Sequence, residues 1–399
     1  FGDSGGVWGS GAGGGGGGVG SGGHRGGRGG RGRASPSDDQ QEKAVSPLLE
    51  EFKSRRGQDR RYELSDLRGH LTEFSMDQHG SRFIQQKLVG LSEEEILWIF
   101  EEVLPTAHAL MTDVFGNYVM QKLLEHPVPR ATFLELFESQ VLSLSLQMYG
   151  CRIVQKALEE LDEASQMRIV AQLDGSIPRC VRDQNGNHVV QKCIEVLAPE
   201  RLSPIISIFC GNVLSLATHM YGCRVLQRIL EHGLARPNSR FEHGPMLMEE
   251  ILGYVDQLAQ QQYGNYVVQH VLEYGNDDHR RRVLGTLSGR FVELSKHKFA
   301  SNVVEKALQF CDPTNRQIVL DELLTTETLN PGPDPLELLL NDQYGNYVAQ
   351  KLLDVCQEPQ RFHLLQRMRA HLPTLRKFTY GKHIVTRVEK LIAAGAGGY

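Results

Sequence analysis

Gly186-Asn187-His188-Val189-Val190-Gln191-Lys192 decides the fold, because the chain repeats it. Gly116-Asn117-Tyr118-Val119-Met120-Gln121-Lys122, Gly264-Asn265-Tyr266-Val267-Val268-Gln269-His270 and Gly345-Asn346-Tyr347-Val348-Ala349-Gln350-Lys351 are close copies. Looser ones open at Gly80 (Gly-Ser-Arg-Phe-Ile-Gln), at Gly150 and Gly222 (Gly-Cys-Arg-x-x-Gln) and at Ala300 (Ala-Ser-Asn-Val-Val-Glu). Counted from the residue after the glycine, the eight copies begin at Ser81, Asn117, Cys151, Asn187, Cys223, Asn265, Ser301 and Asn346. The successive intervals are 36, 34, 36, 36, 42, 36 and 45 residues. A fixed motif at a fixed period makes the chain a repeat array, and that reading governs every other one.

Within a copy the apolar residues keep helical time. Val189, Val190, Cys193, Ile194 and Leu197 fall on one stripe of a helix, with Asn187, Gln191 and Glu195 on the opposite side. About 36 residues per unit accommodates two or three short helices, so an all-α solenoid is the expected architecture, its motif helices side by side. Asp77, Asp113, Asp183 and Asp342, four positions ahead of the first motif side chain, suit helix N-caps. The two long intervals mark insertions near Gly233–Gly244 and Thr325–Pro335, whose Pro, Gly and Asn content predicts surface loops.

Residues 47–392 thus form the repeat domain, opened by a cap in which Leu48, Leu49 and Phe52 recur at helical spacing. Gly381-Lys382-His383-Ile384-Val385-Thr386-Arg387 is a degenerate ninth copy, read as a C-terminal cap, and residues 393–399 are expected to be a flexible end. Residues 1–46 are dominated by glycine, with Arg-Gly-Gly units at Arg25–Arg33; such a segment cannot bury a core and is expected to be disordered. It reads equally as a weak, sequence-blind RNA-binding tail and as a plain linker.

Bulk composition removes several classes. No uninterrupted apolar run is long enough to span a bilayer, so no membrane partner is expected. Seven cysteines without a Cys-x-x-Cys pair argue against a disulfide framework and a structural zinc site, and for a reducing compartment, here the cytoplasm. No metal or cofactor is expected. The chain opens on Phe1 and reads as a fragment. A net charge of −5 disfavours a nucleic-acid partner held by bulk electrostatics.

Local chemistry answers that objection. Positions one, two and five of the motif lie together on a helix, since i and i+4 are one turn apart and i+1 is adjacent. Position one is Asn, Ser or Cys: Ser81, Asn117, Cys151, Asn187, Cys223, Asn265, Ser301 and Asn346. Position two is Arg, Tyr, His or Asn: Arg82, Tyr118, Arg152, His188, Arg224, Tyr266, Asn302 and Tyr347. Position five is Gln85, Gln121, Gln155, Gln191, Gln227, Gln269, Glu305 and Gln350. Amides carry both donors and acceptors, as a base edge requires, and Tyr, His and Arg present flat faces for stacking. One such triplet is a solvated helix face; eight restricted to the same few residue types are not explained by solubility. Position six is Lys122, Lys156, Lys192, Arg228, His270, Lys306 and Lys351, with Arg387 in the cap; only Gln86, followed by Lys87, breaks the series. This column predicts a positive stripe that would hold phosphates without reading sequence.

These residues resemble the Pumilio, or PUF, family of RNA-binding proteins over residues 47–392. The resemblance implies eight three-helix repeats in a right-handed crescent superhelix, with single-stranded RNA running antiparallel to the protein and one base per repeat. In the family's code Asn/Gln with an aromatic reads uracil, Ser or Cys with Gln and Arg reads adenine, and Ser301 with Glu305 reads guanine. From repeat eight back to repeat one this implies 5′-UGUAUAUA, the sixth base tolerant. It also implies action on messenger RNA 3′ untranslated regions, repression of translation, deadenylase and repressor partners, no DNA partner, and a monomer on RNA. A protein-binding solenoid of the HEAT or armadillo kind leaves the Asn/Gln pairs unexplained. No nucleophile–base–acid set or metal-ligand spacing supports an enzyme.

Overall fold

The computed structural model describes residues 45–54, 61–234, 243–325, 333–378 and 381–396. The Gly-rich segment at 1–44, most of both predicted insertions (235–242 and 326–332) and the last three residues lie outside them. Contacts divide the chain between Val45 and Ser46, and all eight repeats belong to the second unit.

Among the described residues every regular element is a helix. The unit is a first helix, a short middle helix and a motif helix: Glu93–Val103, Ala107–Thr112 and Gly116–Leu124 in repeat two, and Glu163–Gln172, Ile177–Arg182 and Gly186–Val196 in repeat four. Repeat seven runs Asp277–Leu287, Phe291–Ser295 and Ala300–Phe310, and repeat eight Pro313–Leu324, Pro335–Leu340 and Gly345–Val355. The first helices of repeats two, four, seven and eight start on sequence-encoded caps. Ser92 and Glu95 form a capping box, and the Asp162 and Asp312 side chains accept from backbone amides of the first turn. Each motif helix packs on its neighbours along the chain, from Gln78–Lys87 through to the cap helix Gly381–Ala396. The chain is an all-α solenoid of eight three-helix repeats. Its apolar core runs unbroken from Leu49 to Val388.

The motif glycine is required by a close crossing. A Cβ on Gly186 would lie 2.9 Å from the Cα of Cys180 in the middle helix, and one on Gly116 would lie 2.9 Å from the carbonyl oxygen of Leu110. Repeat seven carries Ala300 there, fully buried, so this crossing admits a methyl group. The expected aspartates cap the turn that leads into the motif helix. Asp183 Oδ1 accepts from the amides of Asn185 and Gly186 at 2.8 Å each, and Asp77, Asp113 and Asp342 do the same in their repeats. In three of the four repeats without that aspartate, His219 Nδ1, Gln261 Oε1 and His297 Nδ1 take its place.

Repeats are also joined end to end. Glu322 in the first helix of repeat eight accepts from the amides of Gly289 and Phe291, which open the middle helix of repeat seven. Glu250 in the first helix of repeat six serves Gly211 and Val213 of repeat five in the same way, two junctions earlier. Gly289 sits at φ 82°, in the left-handed region, so that this turn can present its amide to the neighbouring carboxylate. The cap helix runs Gly381–Ala396.

Candidate nucleic-acid interface

All eight position-one side chains are buried, from fully in Asn117 and Asn187 to 4 % exposed in Cys151 and Ser301. This corrects the amphipathic reading, which put Asn187 on the open side of its helix. The preceding turn folds over the start of the motif helix and covers that side chain. Asn187 Nδ2 donates to the carbonyls of Asp183 and Gln184 at 2.8 and 2.9 Å, and its Oδ1 accepts from Gln191 Nε2 at 2.8 Å. Asn117, Asn265 and Asn346 make the same three bonds. Two carbonyl partners fix which end of the amide is nitrogen. The asparagine therefore has both of its N–H donors engaged and holds its glutamine through its oxygen. In three of the other repeats the small side chain settles on a nearby carbonyl: Ser81 on Gln78, Cys151 on Met148 and Cys223 on Met220.

Position two is the exposed column. Tyr118, Tyr266 and Tyr347 are 42, 46 and 56 % exposed, large values for aromatic rings on a packed scaffold. Arg82, Arg152, His188, Arg224 and Asn302 flank the motif helices in the same column. Burial of part of the ring, reinforced by the positive fields of Arg224 and Arg152 from the adjacent repeats, pushes His188 below the usual imidazole range. It is a neutral flat ring at pH 7 between two guanidinium groups. Position five is half-buried between these columns, except for Gln269, which is buried. Gln155, with no asparagine to hold it, donates to the carbonyl of Cys151 at 3.0 Å. Glu305 is the single acid of the column. Burial drives its carboxyl above the ordinary range, against the opposing pull of Lys351.

Position six departs from expectation. Lys156 lies 3.3 Å from Glu125 and 2.9 Å from Glu160; Lys192 lies 2.7 Å from both Glu159 and Glu195. Arg228 joins Glu195 and Glu231, Lys306 joins Glu273, Lys351 reaches Gln309, and Arg387 pairs with Asp354. Lys122 takes Glu125 of its own helix. The positive stripe is thus an alternating ladder, in which these cations from Lys156 onward engage position nine of the repeat before. Its physical cause is the stacking, which sets the last turn of one motif helix beside the sixth residue of the next. Such partly exposed pairs are worth about 0.2–1 kcal/mol each. The sequence carries the signal for the ladder in the acid column Glu125, Glu159, Glu195, Glu231 and Glu273. Further positive charge sits in position two, on Arg82, Arg152 and Arg224.

Eight stacked helices, each setting an amide or acid beside a position-two side chain, make a surface repeating in a single direction. A family model for the Pumilio-family RNA binding repeat matches eight segments, residues 70–104, 107–129, 140–173, 180–208, 212–235, 254–287, 290–324 and 339–368. The chain belongs to the Pumilio family. It is 47 % identical over 350 residues to Pumilio homolog 1 of Xenopus laevis, covering 86 % of this chain and 28 % of that protein. It is 33 % identical over 330 residues to a Pumilio domain-containing protein of Schizosaccharomyces pombe, covering 82 % and 46 %. The chain therefore spans less than half the length of either relative. Among solved structures, the Puf3 RNA-binding domain bound to a Cox17 RNA 3′ UTR recognition sequence superposes with a TM-score of 0.77 at 37 % identity, covering 87 % of this chain and all of that one. PUF-8 in complex with PBE-RNA gives 0.75 at 37 % identity, covering 86 % and 99 %.

Proposed function

We propose that this Pumilio chain binds single-stranded RNA in a sequence-specific manner, one base per repeat, at elements of the form 5′-UGUAUAUA in messenger RNA 3′ untranslated regions. The observation that carries the reading is the register of the triplets, with the same three roles at the same three positions on eight consecutive stacked helices. RNA-bound structures of similar domains support it. In the uracil repeats the glutamine is the group left to read, offering Oε1 to the N3–H and its second N–H to a carbonyl oxygen, while the asparagine fixes its orientation. Tyrosine, His188 and arginine stack on the base faces, each contact worth about 1–3 kcal/mol. The strand runs antiparallel to the protein, so that repeat eight meets the 5′ base and Glu305 meets the guanine. On such elements, as a monomer in the cytoplasm, the chain would repress translation and bring in deadenylase and repressor proteins.

The test is competition binding with a labelled UGUAUAUA oligonucleotide. Displacement by unlabelled UGUAUAUA but not by its ACAAUAUA form is expected; equal displacement by both would remove the reading. The raised carboxyl of Glu305 adds a pH dependence. Guanine offers N1–H and N2–H, which two ionised carboxylate oxygens accept and a protonated carboxyl matches poorly. Affinity for UGUAUAUA is therefore expected to fall on acidification, beginning at a higher pH than an ordinary glutamate would give. Glu305→Gln should lose that dependence. The sign for stability is the reverse: a carboxyl raised by folding stabilises the fold when protonated and loses that contribution as pH rises through its folded value. Glu305→Gln should hence unfold at slightly higher urea than the parent at neutral pH. An unchanged or lower midpoint would contradict the burial argument.

A further inference from the structure

The C-terminal cap is built in register with the repeats but carries different chemistry. A Cβ on Gly381 would strike the carbonyl oxygen of Leu375, the same close crossing made by the motif glycines. Six residues later Arg387 pairs with Asp354, position nine of repeat eight, which is the ladder rule of the preceding rungs. The cap helix also packs on Gly345–Val355. Crossing and ion pair independently make Gly381–Ala396 a ninth rung, with Lys382, His383 and Thr386 at positions one, two and five and Lys390 at position nine.

At two of these positions the chemistry is inverted. Position one is buried in all eight repeats, whereas Lys382 is exposed. Position nine is Glu, Gln or Asp from repeat two to repeat eight, whereas Lys390 is a cation and exposed. Neither lysine has a carboxylate partner among the described residues. They lie eight residues apart on one helix, two turns along the same face, about 12 Å. The Thr386 hydroxyl between them donates to the Lys382 carbonyl at 3.0 Å. The wider cap, residues 360–396, holds eight Lys and Arg against the lone Glu389, in a chain of net charge −5. An ammonium group has donors only and no planar fork, which suits a phosphate oxygen better than a base edge.

We propose that the cap is a ninth, sequence-blind station of the RNA track, where Lys382 and Lys390, with His383 beside them, hold backbone phosphates of the nucleotides immediately 5′ of the octamer. This rests on the antiparallel reading of the proposed function, in which the 5′ base lies on repeat eight, next to the cap. The track thus has unpaired lysines at the end where the 5′ flank of the message arrives, while the ladder neutralises those between the bases.

Fluorescence anisotropy tests it with three RNAs: the bare octamer, the octamer with four added 5′ uridines, and the octamer with four added 3′ uridines. Each is measured against salt with the parent chain and with Lys382→Ala/Lys390→Ala. The 5′ extension is expected to tighten binding by roughly three- to tenfold at ~0.05 M salt. It should also steepen the log–log salt slope by about 1.4, at ~0.7 per phosphate neutralised on a single strand. The double variant should lose that gain and keep the octamer's affinity. Octamer binding with no 5′ gain, or a gain that survives the double variant, overturns the cap proposal and leaves the base reading standing. A gain from the 3′ extension that the double variant abolishes overturns the assigned polarity. No preference for the octamer over a scrambled RNA overturns the base reading itself.

Discussion

Replacing Ser301 by Asn and Glu305 by Gln together is expected to change the second base of the preferred RNA from G to U. The wild-type pair places a carboxylate, raised by burial, where a base must supply two N–H donors. The double variant recreates Asn346/Gln350, in which the asparagine saturates two carbonyls and holds a glutamine that offers one acceptor and one donor. A well-matched base is worth about 1–3 kcal/mol over a wrong one, so losing one preference and gaining another should move the G/U ratio by about 2–6 kcal/mol, roughly 30-fold or more. Competition between UGUAUAUA and UUUAUAUA reads the ratio directly. The exchange has room: Ser301 is only 4 % exposed, but the asparagines of four other repeats fit the same pocket at 0–1 %. A variant that folds and still prefers G would show that position five does not choose the base.

A second large effect should appear where it is least expected of a reading residue, in stability. Asn187→Leu keeps the branching and the number of side-chain heavy atoms but removes two donors to Asp183 and Gln184 and the acceptor that holds Gln191. Each buried group left without its partner costs about 1–3 kcal/mol, so about 2–4 kcal/mol of resistance to urea should be lost locally, together with the preference at the fifth base. Gln191→Ala, which takes away only the donor to Asn187 Oδ1, should weaken RNA binding and lower the unfolding midpoint by clearly less than Asn187→Leu does. Asn187→Ser, the residue found at positions 81 and 301, should fall between. If Asn187→Leu unfolds like the parent and only affinity falls, then the asparagine reads the base itself and its holding role is wrong.

Most of the architecture was legible because repetition turns weak local signals into one strong one. A single Gly-Asn-His-Val-Val-Gln-Lys is ambiguous; eight related copies in step specify helix, face and stacking axis. What failed to show had tertiary causes. A helical wheel treats Asn187 as if its helix stood alone, and cannot see the preceding turn closing over it. It likewise assigns Lys192 to solvent, because the carboxylate of Glu159 comes from the neighbouring repeat. The acid column was present in the letters, nine residues after the motif glycine of repeats two to six, but its meaning depends on the offset between adjacent helices. Capping was readable where it used aspartate and was missed where His219, Gln261 or His297 supplied the acceptor, since those residue types cap helices less often.

The ladder also makes the repeats interchangeable parts. Every junction from repeat three to repeat five speaks the same two-letter grammar, an acid on the earlier helix and a cation on the later one. Were repeat four cut out between residues 161 and 197, Glu159 would meet Arg228 in place of Lys192, a grammatical join. The glycine crossings lie wholly inside single repeats and would survive the cut. A chain built this way can be shortened or lengthened by whole words, and the message it recognises would shrink or grow by one letter at a time.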